Sequence, residues 1–539
     1  MVPDGSTPHR VRFVSIAHIS PRRLIPPLPG GDRWGWIAPL GVALFGAYLR
    51  FAGLALPHSL MFDETYYAKG GWALVNFGVE RKALGSVTDP VADKMILRGD
   101  LNIWEKCTPP EATPCAEYVA HPPLGKWMIG AGEQLYGMTP LGWRFVAALA
   151  GALSILILAR VARRMTRSTL LGCLAGLLLS LDGMHFVLSR TALLDIFLMF
   201  WVLAGFACLV VDRDQSREAL AAWRAASPLS RYGPYLGPRP WRLAAGLCLG
   251  AACAVKWSGI WFLLVFALMS LLWDAGARRA AGLRRPYRGV ARRDLPTALA
   301  AMALAPAVTY LMTWSGWLAS PYGYGRNWAQ AASQGSPFYW LFDSLRSLMS
   351  YHMSVLDFHT GLQTQHDYSS EPWEWPLLIR PVLFYYQGSE GKCGEGPCSQ
   401  AIHAAGTQAI WFGALVALLA MIAWYVASRD WRAGAVLGAF GAGWLPWFYY
   451  AVADNRTMYD FYMAPMLPFM VLALVLAAGL IIGPADAPAR RKAIGAAAVG
   501  AFALLVVVNF GWLHPVLTGD LITYQQWQAR MMLQSWVAH

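Results

Sequence analysis

Apolar residues occur in runs of about 20 along the whole chain, and a run of this length can cross a bilayer as an α-helix. We therefore predict an all-α, polytopic membrane protein with about eleven transmembrane helices. The predicted spans are 36–55, 141–160, 168–187, 191–211, 242–258, 259–276, 295–317, 404–427, 433–452, 461–483 and 493–513.

The composition and the spacing of the spans define the organisation of the chain. Hydrophobic residues make up 56% of the 539 residues and charged residues 14%, against roughly a quarter charged in soluble domains. We predict a polar N-terminal tail (1–35), one transmembrane domain that would carry the activity (36–513) and a C-terminal segment (514–539). Two long connections lie at about 56–140 and 318–403.

The positive charges predict the orientation in the membrane. Most of the 44 Lys and Arg residues fall in the N-terminal tail and in alternate connections between spans. Such connections face the cytoplasm in membrane proteins. An odd number of spans then places the C-terminus and both long loops outside a cell membrane. The net charge of +13 is explained by this topology, so we expect no nucleic-acid partner.

Two pairs of cysteines fall in the predicted external loops. Cys107 and Cys115 share the first loop, and Cys393 and Cys398 share the second. Close pairs in an oxidising compartment are typical of disulfides. We therefore predict the disulfides Cys107–Cys115 and Cys393–Cys398. A zinc site of four cysteines is the less favoured alternative, because the two loops would have to converge.

Local patterns predict further structure in the loops and between spans. The segments 64–77 and 122–136 mix aromatic and polar residues in a way typical of amphipathic helices that lie in the membrane interface. The aromatic segment 373–386 is a third candidate for the membrane surface. Gly246 and Gly250 have the four-residue spacing of small residues that permits close helix packing.

Charged residues gather at the predicted external ends of the spans. The stretch MFDETYYAKG places Asp63 and Glu64 directly after the first span. Asp195 lies inside the apolar run LLDIFLMFW, where an ionisable group is a functional candidate that needs a cationic partner. Arg190 is the nearest candidate, but a spacing of five residues is unfavourable on one helix, so another span is the alternative source. Cations at span ends also act as interfacial anchors.

The pair at 63 and 64 has both a structural and a chemical interpretation. Asp is a preferred N-cap residue, and Glu in the first turn complements the helix dipole. Carboxylates that face cations at a membrane surface would also suit a lipid-phosphate sugar donor. The cations would stabilise charge that develops on the phosphate, while a carboxylate accepts the proton of the acceptor hydroxyl. A capping Asp is held rigidly, so the two roles are compatible.

The chain resembles the protein O-mannosyltransferases, which are membrane glycosyltransferases of the GT-C fold. The resemblance covers most of the predicted spans and rests on the order of several motifs. They are the pair Asp63 and Glu64, HPPLGK at His121 to Lys126, Arg144 in GWRFVAALAG, Ser189, Arg190 and Asp195 in SRTALLDIFLMF, Lys256 and Gly259 in VKWSG, and Tyr462 and Pro465 in an altered motif, FYMAPMLPF.

The resemblance implies a reaction and a set of roles. The donor would be polyprenyl-phosphate mannose, and the acceptor would be Ser or Thr of a polypeptide under export, near the Sec translocon. Transfer would invert the anomeric centre. Asp63 would be the general base, Glu64 would orient Asp63 or the acceptor, and Arg144 would contact the donor phosphate. Lys256 and Arg190 would be further phosphate partners, and the remaining site candidates are His121, Lys126, Asp195, Arg456 and Tyr462.

The chain departs from eukaryotic members of this family in one loop, and two other functions are alternatives to protein mannosylation. Eukaryotic members carry a luminal β-trefoil domain after the seventh span, and its absence from 318–403 indicates a bacterial member. The Ala- and Arg-rich composition is typical of an actinobacterium. Related GT-C enzymes transfer sugars to lipids or polysaccharides, some with a divalent metal, so this acceptor class is the main alternative and metal dependence is left open. A transporter of lipid-linked sugars is less favoured, because no inverted repeat is visible.

Overall fold

We used a computed structural model, which describes residues 33–86, 89–105, 115–227, 230–331, 342–364, 366–394, 396–484 and 486–537. The N-terminal tail predicted over 1–35 lies almost entirely outside these ranges. The first ten helices are α1 (Trp34–Phe51), α2 (Glu64–Phe77), α3 (Val91–Ile96), α4 (Leu124–Tyr136), α5 (Pro140–Thr166), α6 (Thr169–Ser180), α7 (Gly183–Leu188), α8 (Leu194–Ala226), α9 (Pro240–Val255) and α10 (Gly259–Ala280).

The second half of the chain continues the helical pattern with shorter pieces between long helices. These helices are α11 (Pro286–Arg293), α12 (Leu295–Leu299), α13 (Ala305–Thr313), α14 (Ser315–Ala319), α15 (Trp328–Ala331), α16 (Asp343–Thr360), α17 (Gln408–Ser428), α18 (Trp431–Ala453), α19 (Leu467–Ile482), α20 (Ala489–Thr518) and α21 (Tyr524–Gln528). A π-helical turn, Ala300–Leu304, joins α12 to α13, and a 3-10 segment, Asp460–Met466, leads into α19.

The multi-pass helical architecture predicted from the sequence is confirmed. In the described ranges, eight helical segments are long and apolar enough to cross a membrane. They coincide with eight of the predicted spans. The spans predicted at 36–55, 168–187 and 242–258 correspond to shorter or less apolar helices, which are α1, α6 with α7, and α9. The count of eleven spans therefore stays a prediction.

The predicted third span is interrupted at Asp182. Its carboxylate accepts hydrogen bonds from the His185 backbone N–H and the Trp411 indole N–H, at 2.9 and 2.8 Å. Asp182 is thereby the N-cap of α7, and a side chain in this position favours a new helix start over continuation of the old one. After this break, the segment 189–195, which contains Arg190 and Asp195, leads into the start of α8.

Close packing fixes α9 against the span formed by α12 and α13. A Cβ atom added at Gly246 would lie 1.7 Å from the Ala301 carbonyl oxygen, and one at Gly250 would lie 2.7 Å from the Pro306 Cα. Any side chain at either glycine would force the helices apart. The close approach predicted from the spacing of these glycines is therefore present.

The two helices predicted in the first long loop are also present, as α2 and α4. They pack directly against each other, since a Cβ at Gly130 would lie 2.5 Å from the Gly71 carbonyl oxygen. Half of the residues of α2 are buried, among them Glu64, Tyr67 and Leu74. This packed helix pair fixes the positions of Asp63, directly before α2, and His121, just before α4.

A small antiparallel sheet joins the second long loop to the C-terminal segment, and the sequence pattern did not predict it. Its strands are β1 (Leu383–Glu390), β2 (Pro397–His403) and β3 (Leu521–Thr523), with β2 in the centre. The segment 373–386 was predicted to lie on the membrane surface, and this stays a prediction, since Trp373, Leu377 and Tyr386 are exposed. Trp375 and Leu378 are fully buried, and the segment ends in β1.

A disulfide joins Cys393 and Cys398, at the turn between β1 and β2. Cys115 is also disulfide-bonded. Its predicted partner, Cys107, lies outside the described residues, so that pairing stays a prediction. A zinc site that uses all four cysteines is wrong, because the thiols at 393 and 398 are consumed by their own bond.

Candidate active site

Asp63 and Glu64 are adjacent in the chain but have separate partners. Asp63 occupies the N-cap position of α2, yet its side chain makes no capping hydrogen bond. Glu64 is fully buried and accepts hydrogen bonds from the backbone N–H groups of Met61 and Ala192, at 3.0 Å each. Helix capping therefore does not account for the Asp63 carboxylate, which is left for another role.

Arg144, at the start of α5, uses all the N–H donors of its guanidinium in hydrogen bonds within the protein. Its Nε and Nη2 lie 2.8 Å from the two carboxylate oxygens of Glu64. Its other N–H groups donate to the carbonyls of Leu54, Pro57 and Ser59, at 2.8 to 3.3 Å. Both members of the ion pair are fully buried. An arginine has five N–H donors, and none is left here for a phosphate, so the geometry does not support the role predicted for Arg144.

Arg190 is used in a similar way at the end of α1. Its guanidinium donates to the carbonyls of Leu49, Arg50, Ala52 and Gly53, at 2.6 to 3.4 Å. A cation at this position satisfies the free carbonyls of a helix C-terminus and complements its dipole. Arg190 therefore caps α1, and it does not line the cavity described below.

Asp195 finds its cation on another helix. The Lys256 Nζ, directly after the end of α9, lies 2.8 Å from an Asp195 carboxylate oxygen, and both side chains are largely buried. The partner of Asp195 thus comes from another predicted span, and Arg190 instead bonds the carbonyls at the end of α1. Lys256 also lies 5.3 Å from the ring centroid of Tyr462, within the range of a cation–π contact.

Buried contacts hold the HPPLGK segment in place. The Lys126 Nζ donates to Glu80, at 2.7 Å, and to the carbonyl of His121, at 3.1 Å. Lys126 is 1% exposed, so its charge is committed to this ion pair. Lys126 therefore positions His121 rather than facing a substrate. The His121 ring lines the cavity, and its centroid is 5.1 Å from that of His359.

His359, on α16, joins three parts of the site, and the sequence reasoning missed it. Its Nε2 lies 2.8 Å from the Ala120 carbonyl, so this nitrogen carries the proton and Nδ1 is an acceptor. Nδ1 faces Arg456 Nη2 at 3.4 Å, and Arg456 Nε donates to the His359 carbonyl at 3.0 Å. The amphipathic character of α16, with histidines at 352 and 359, was the available signal.

A cavity of about 730 Å³ lies where these groups meet. One part is apolar and is formed by α10 together with the span of α12 and α13; its lining residues include Ile260, Leu263, Ala303, Pro306, Ala307 and Leu311. The other part is polar. It contains His121, Asp195, Lys256, His359, Arg456 and Tyr462. The cavity is therefore amphiphilic, with an apolar wall that continues from a polar end.

Arg456 is the cation of the polar end without a carboxylate partner in the described part of the chain. It donates to the carbonyls of His359 and Thr457 and to the His359 ring, which leaves two of its five N–H groups unassigned. Burial, then the charge of Arg456, lowers the pKa of His359 to about 4. The pKa of His121 is also well below its usual range, because of burial and nearby cations. Both rings are neutral at pH 7.

Asp63 lies beside this polar end. Burial and the negative charge of Asp195 raise the pKa of Asp63 to about 6, against the opposing effects of Lys256 and of a hydrogen bond from Tyr67. A carboxylate with this pKa is ionised at pH 7 and is a stronger base than an ordinary Asp. The polar end thus combines a base with two cations, Lys256 and Arg456.

The described residues include no cluster of side chains suited to bind a metal ion. No three His, Cys, Asp or Glu side chains within those ranges converge as metal ligands. Asp63 and Asp195 are close enough to influence each other, but Asp195 is bonded to Lys256.

Comparison with solved structures identifies the fold. The chain is similar to the S. cerevisiae protein O-mannosyltransferase Pmt1-Pmt2 complex bound to the sugar donor, with a TM-score of 0.68 over 96% of this chain and 94% of that chain, at 15% identity. The fold is that of a multi-pass membrane glycosyltransferase of the GT-C type.

Sequence comparison identifies the family. Residues 41–284 match the model of the dolichyl-phosphate-mannose-protein mannosyltransferases, and residues 344–536 match the C-terminal four-span region of protein-O-mannosyltransferases. The polyprenol-phosphate-mannose–protein mannosyltransferase of Mycolicibacterium smegmatis is 39% identical, over 99% of both chains. That of Mycobacterium tuberculosis is 39% identical, over 96% of this chain and 95% of its own. The chain belongs to the protein O-mannosyltransferase family, and the resemblance predicted from its motifs is confirmed.

Proposed function

We propose that the chain transfers mannose from polyprenyl-phosphate mannose to Ser and Thr hydroxyls of exported polypeptides. The observation that carries this proposal is the amphiphilic cavity, with Asp63 beside its polar end. The apolar wall suits the isoprenoid tail of such a donor, and the polar end suits its phosphate. The names of the similar mycobacterial proteins give the same donor and the same acceptor class.

The phosphate would lie between Arg456 and Lys256 rather than against Arg144 or Arg190. Arg456 has unassigned N–H donors, and Lys256 projects into the cavity from the end of α9. Asp195 holds Lys256 in place at 2.8 Å. These cations would stabilise the charge that grows on the phosphate as the bond from the anomeric carbon to the phosphate oxygen breaks. Polyprenyl phosphate is then the leaving group.

Asp63 would act as the general base. The acceptor hydroxyl attacks the anomeric carbon from the face opposite the phosphate, so the configuration inverts, and the proton of the hydroxyl passes to the Asp63 carboxylate. Glu64 and Arg144 do not touch the substrates in this scheme. They hold the start of α2, and with it Asp63, against α5 and the segment after α7.

The proposal includes an orientation in the membrane. The polar end would face the outside of a cell membrane, with the arginine-rich connections in the cytoplasm and the N-terminal tail on the same side. The transmembrane domain over 36–513 would carry the whole reaction, and the C-terminal segment would lie outside. The acceptor would be modified near the Sec translocon, where it is still extended enough for a hydroxyl to reach a half-buried carboxylate.

The acceptor class is tested directly with purified protein and radiolabelled polyprenyl-phosphate mannose. We expect transfer to a Ser/Thr-rich peptide and none to the same peptide with Ala at those positions. The family resemblance implies a β-linked donor, and inversion would give an α-linked product, so the product should be sensitive to an α-mannosidase. Transfer to lipid or polysaccharide but never to the peptide would reject the proposal. A parallel reaction with chelator tests metal dependence.

A further inference from the structure

Six exposed arginines cover the end of α10, the following turn and α11. They are Arg279, Arg284, Arg285, Arg288, Arg292 and Arg293, and we call them the arginine surface. In the part of the chain that the structure describes, none of them forms an ion pair with a carboxylate. Arg279 contacts the Tyr287 hydroxyl, and the Arg292 guanidinium lies 4.7 Å from the Tyr232 ring centroid. The surface therefore keeps its positive charge.

The position of the arginine surface relative to the bilayer follows from the helices that flank it. α10 begins at Gly259 beside the cavity and has 22 residues, so its far end lies about 33 Å away. The next membrane-length segment, Leu295–Thr313, begins two residues after α11 ends. α11 is thus held between two spans, at the membrane face opposite the polar end of the cavity.

Buried ion pairs beneath the surface use up the nearby carboxylates. Arg278 is fully buried and donates twice to Asp294, at 2.7 Å each. Arg239 bonds both Asp212 and Asp274. These pairs tie α8, α9, α10 and α12 together. The inner arginines are therefore neutralised and rigid, whereas the outer six lie on this fixed frame and have no carboxylate partner among the described residues.

We propose that the arginine surface binds the headgroups of anionic phospholipids in the leaflet opposite the active site. Guanidinium groups form two-point hydrogen bonds with phosphate oxygens. Clusters of four to eight basic residues on a helix beside a span are typical of anionic-lipid binding. Tyr287 is 60% exposed on the same helix and provides an amphipathic side chain suited to the headgroup region. This site is separate from the cavity and does not depend on the proposed reaction.

The test compares two triple variants of the full-length protein in detergent. The first is Arg288→Gln, Arg292→Gln and Arg293→Gln. The matched control is Lys94→Gln, Arg98→Gln and Lys392→Gln, which removes the same charge from exposed positions in the two long loops. Binding of phosphatidylglycerol, phosphatidylcholine and inorganic phosphate is measured by native mass spectrometry. We expect the first variant to lose phosphatidylglycerol affinity by at least about tenfold, while the control and mannosyl transfer stay unchanged.

Two further measurements complete the test. Replacement of the same three arginines by Lys should keep the part of the binding that depends on charge and lose the part that depends on two-point hydrogen bonds, so its affinity should lie between those of wild type and the Gln variant. Thermal unfolding checks the fold of each variant. If the triple Gln variant does not fold, Arg284→Gln with Arg285→Gln takes its place. Equal loss in variant and control, equal binding of phosphatidylcholine, or full competition by inorganic phosphate at low millimolar concentration would overturn the proposal.

Discussion

Glu64 and Arg144 form a two-point ion pair, with both N–O distances at 2.8 Å, in which neither side chain has solvent contact. Glu64 directly follows Asp63, so the pair fixes the backbone that carries the proposed base. It connects α2 to α5, and the Ala192 N–H on Glu64 adds the segment that precedes α8. The pair thus positions Asp63, and neither of its side chains lines the cavity.

Loss of Arg144 should therefore act on folding before it acts on donor binding. Breaking a buried ion pair on one side costs about 3–5 kcal/mol, and Arg144→Ala also leaves the carbonyls of Leu54, Pro57 and Ser59 without a donor. We expect a lower thermal unfolding midpoint and loss of activity. Arg98→Ala, an exposed arginine in the same loop, is the control and should unfold like wild type. A variant at 144 with a normal midpoint but weak donor binding would return Arg144 to the phosphate site.

The pKa of Asp63 predicts the acid limb of the pH profile. The base must be ionised, and its pKa is about 6, so kcat/KM should fall as the pH drops through about 6 and be level above pH 7. Removal of the positive charge in Lys256→Met should move the inflection to higher pH. Removal of the negative charge in Asp195→Asn should move it to lower pH. A flat profile between pH 5 and 8, or shifts in the same direction, would contradict this assignment.

His359 should act through Arg456 and the carbonyl of Ala120. We expect His359→Ala to raise the KM for the donor by about tenfold, the equivalent of one lost charge-assisted hydrogen bond, with a smaller change in kcat. His359→Asn can keep an acceptor for Arg456, whereas His359→Gln can keep a donor for the Ala120 carbonyl. Rescue by Asn would assign the effect to Arg456, and rescue by Gln to the loop.

The control for this prediction is His366→Ala, in the same loop but outside the cavity lining. Its donor KM should equal that of wild type. An equal loss of kcat and no change in KM for His359→Ala would show that His359 does not support donor binding. Full recovery by both conservative variants would indicate that only the packing of the ring matters.

The membrane spans were predictable because hydropathy alone decides which segments enter the bilayer, whatever their neighbours. The helices α2 and α4 were predictable for a related reason, since each segment by itself has the mixture of apolar and polar residues that is typical of an amphipathic helix. Asp195 was recognisable because an ionised group within an apolar run needs a partner. Which partner it takes was not predictable, because Lys256 directly follows another helix, α9, and reaches Asp195 only through tertiary packing.

The roles of the arginines could not be assigned from the sequence for the same reason. Arg144 and Arg190 occupy motif positions that suggest substrate contact, but they donate to the Glu64 carboxylate and to backbone carbonyls that only the folded chain brings near. α16 was missed because its amphipathic pattern is too polar for a span and its loop offered no other marker. The β-sheet was missed because β2 pairs with strands on both sides, one of them from the C-terminal segment.

The central claim is that Asp63 removes the proton of the acceptor hydroxyl, and the most direct test measures transfer and donor binding together in Asp63→Asn. Asp89→Asn, an exposed carboxylate in the same loop, is the matched control. We expect Asp63→Asn to fold, to bind polyprenyl-phosphate mannose as wild type does, and to lose transfer to a Ser/Thr peptide by about 10²–10⁴-fold, while Asp89→Asn keeps full activity. Transfer by Asp63→Asn at a rate close to wild type would contradict the account.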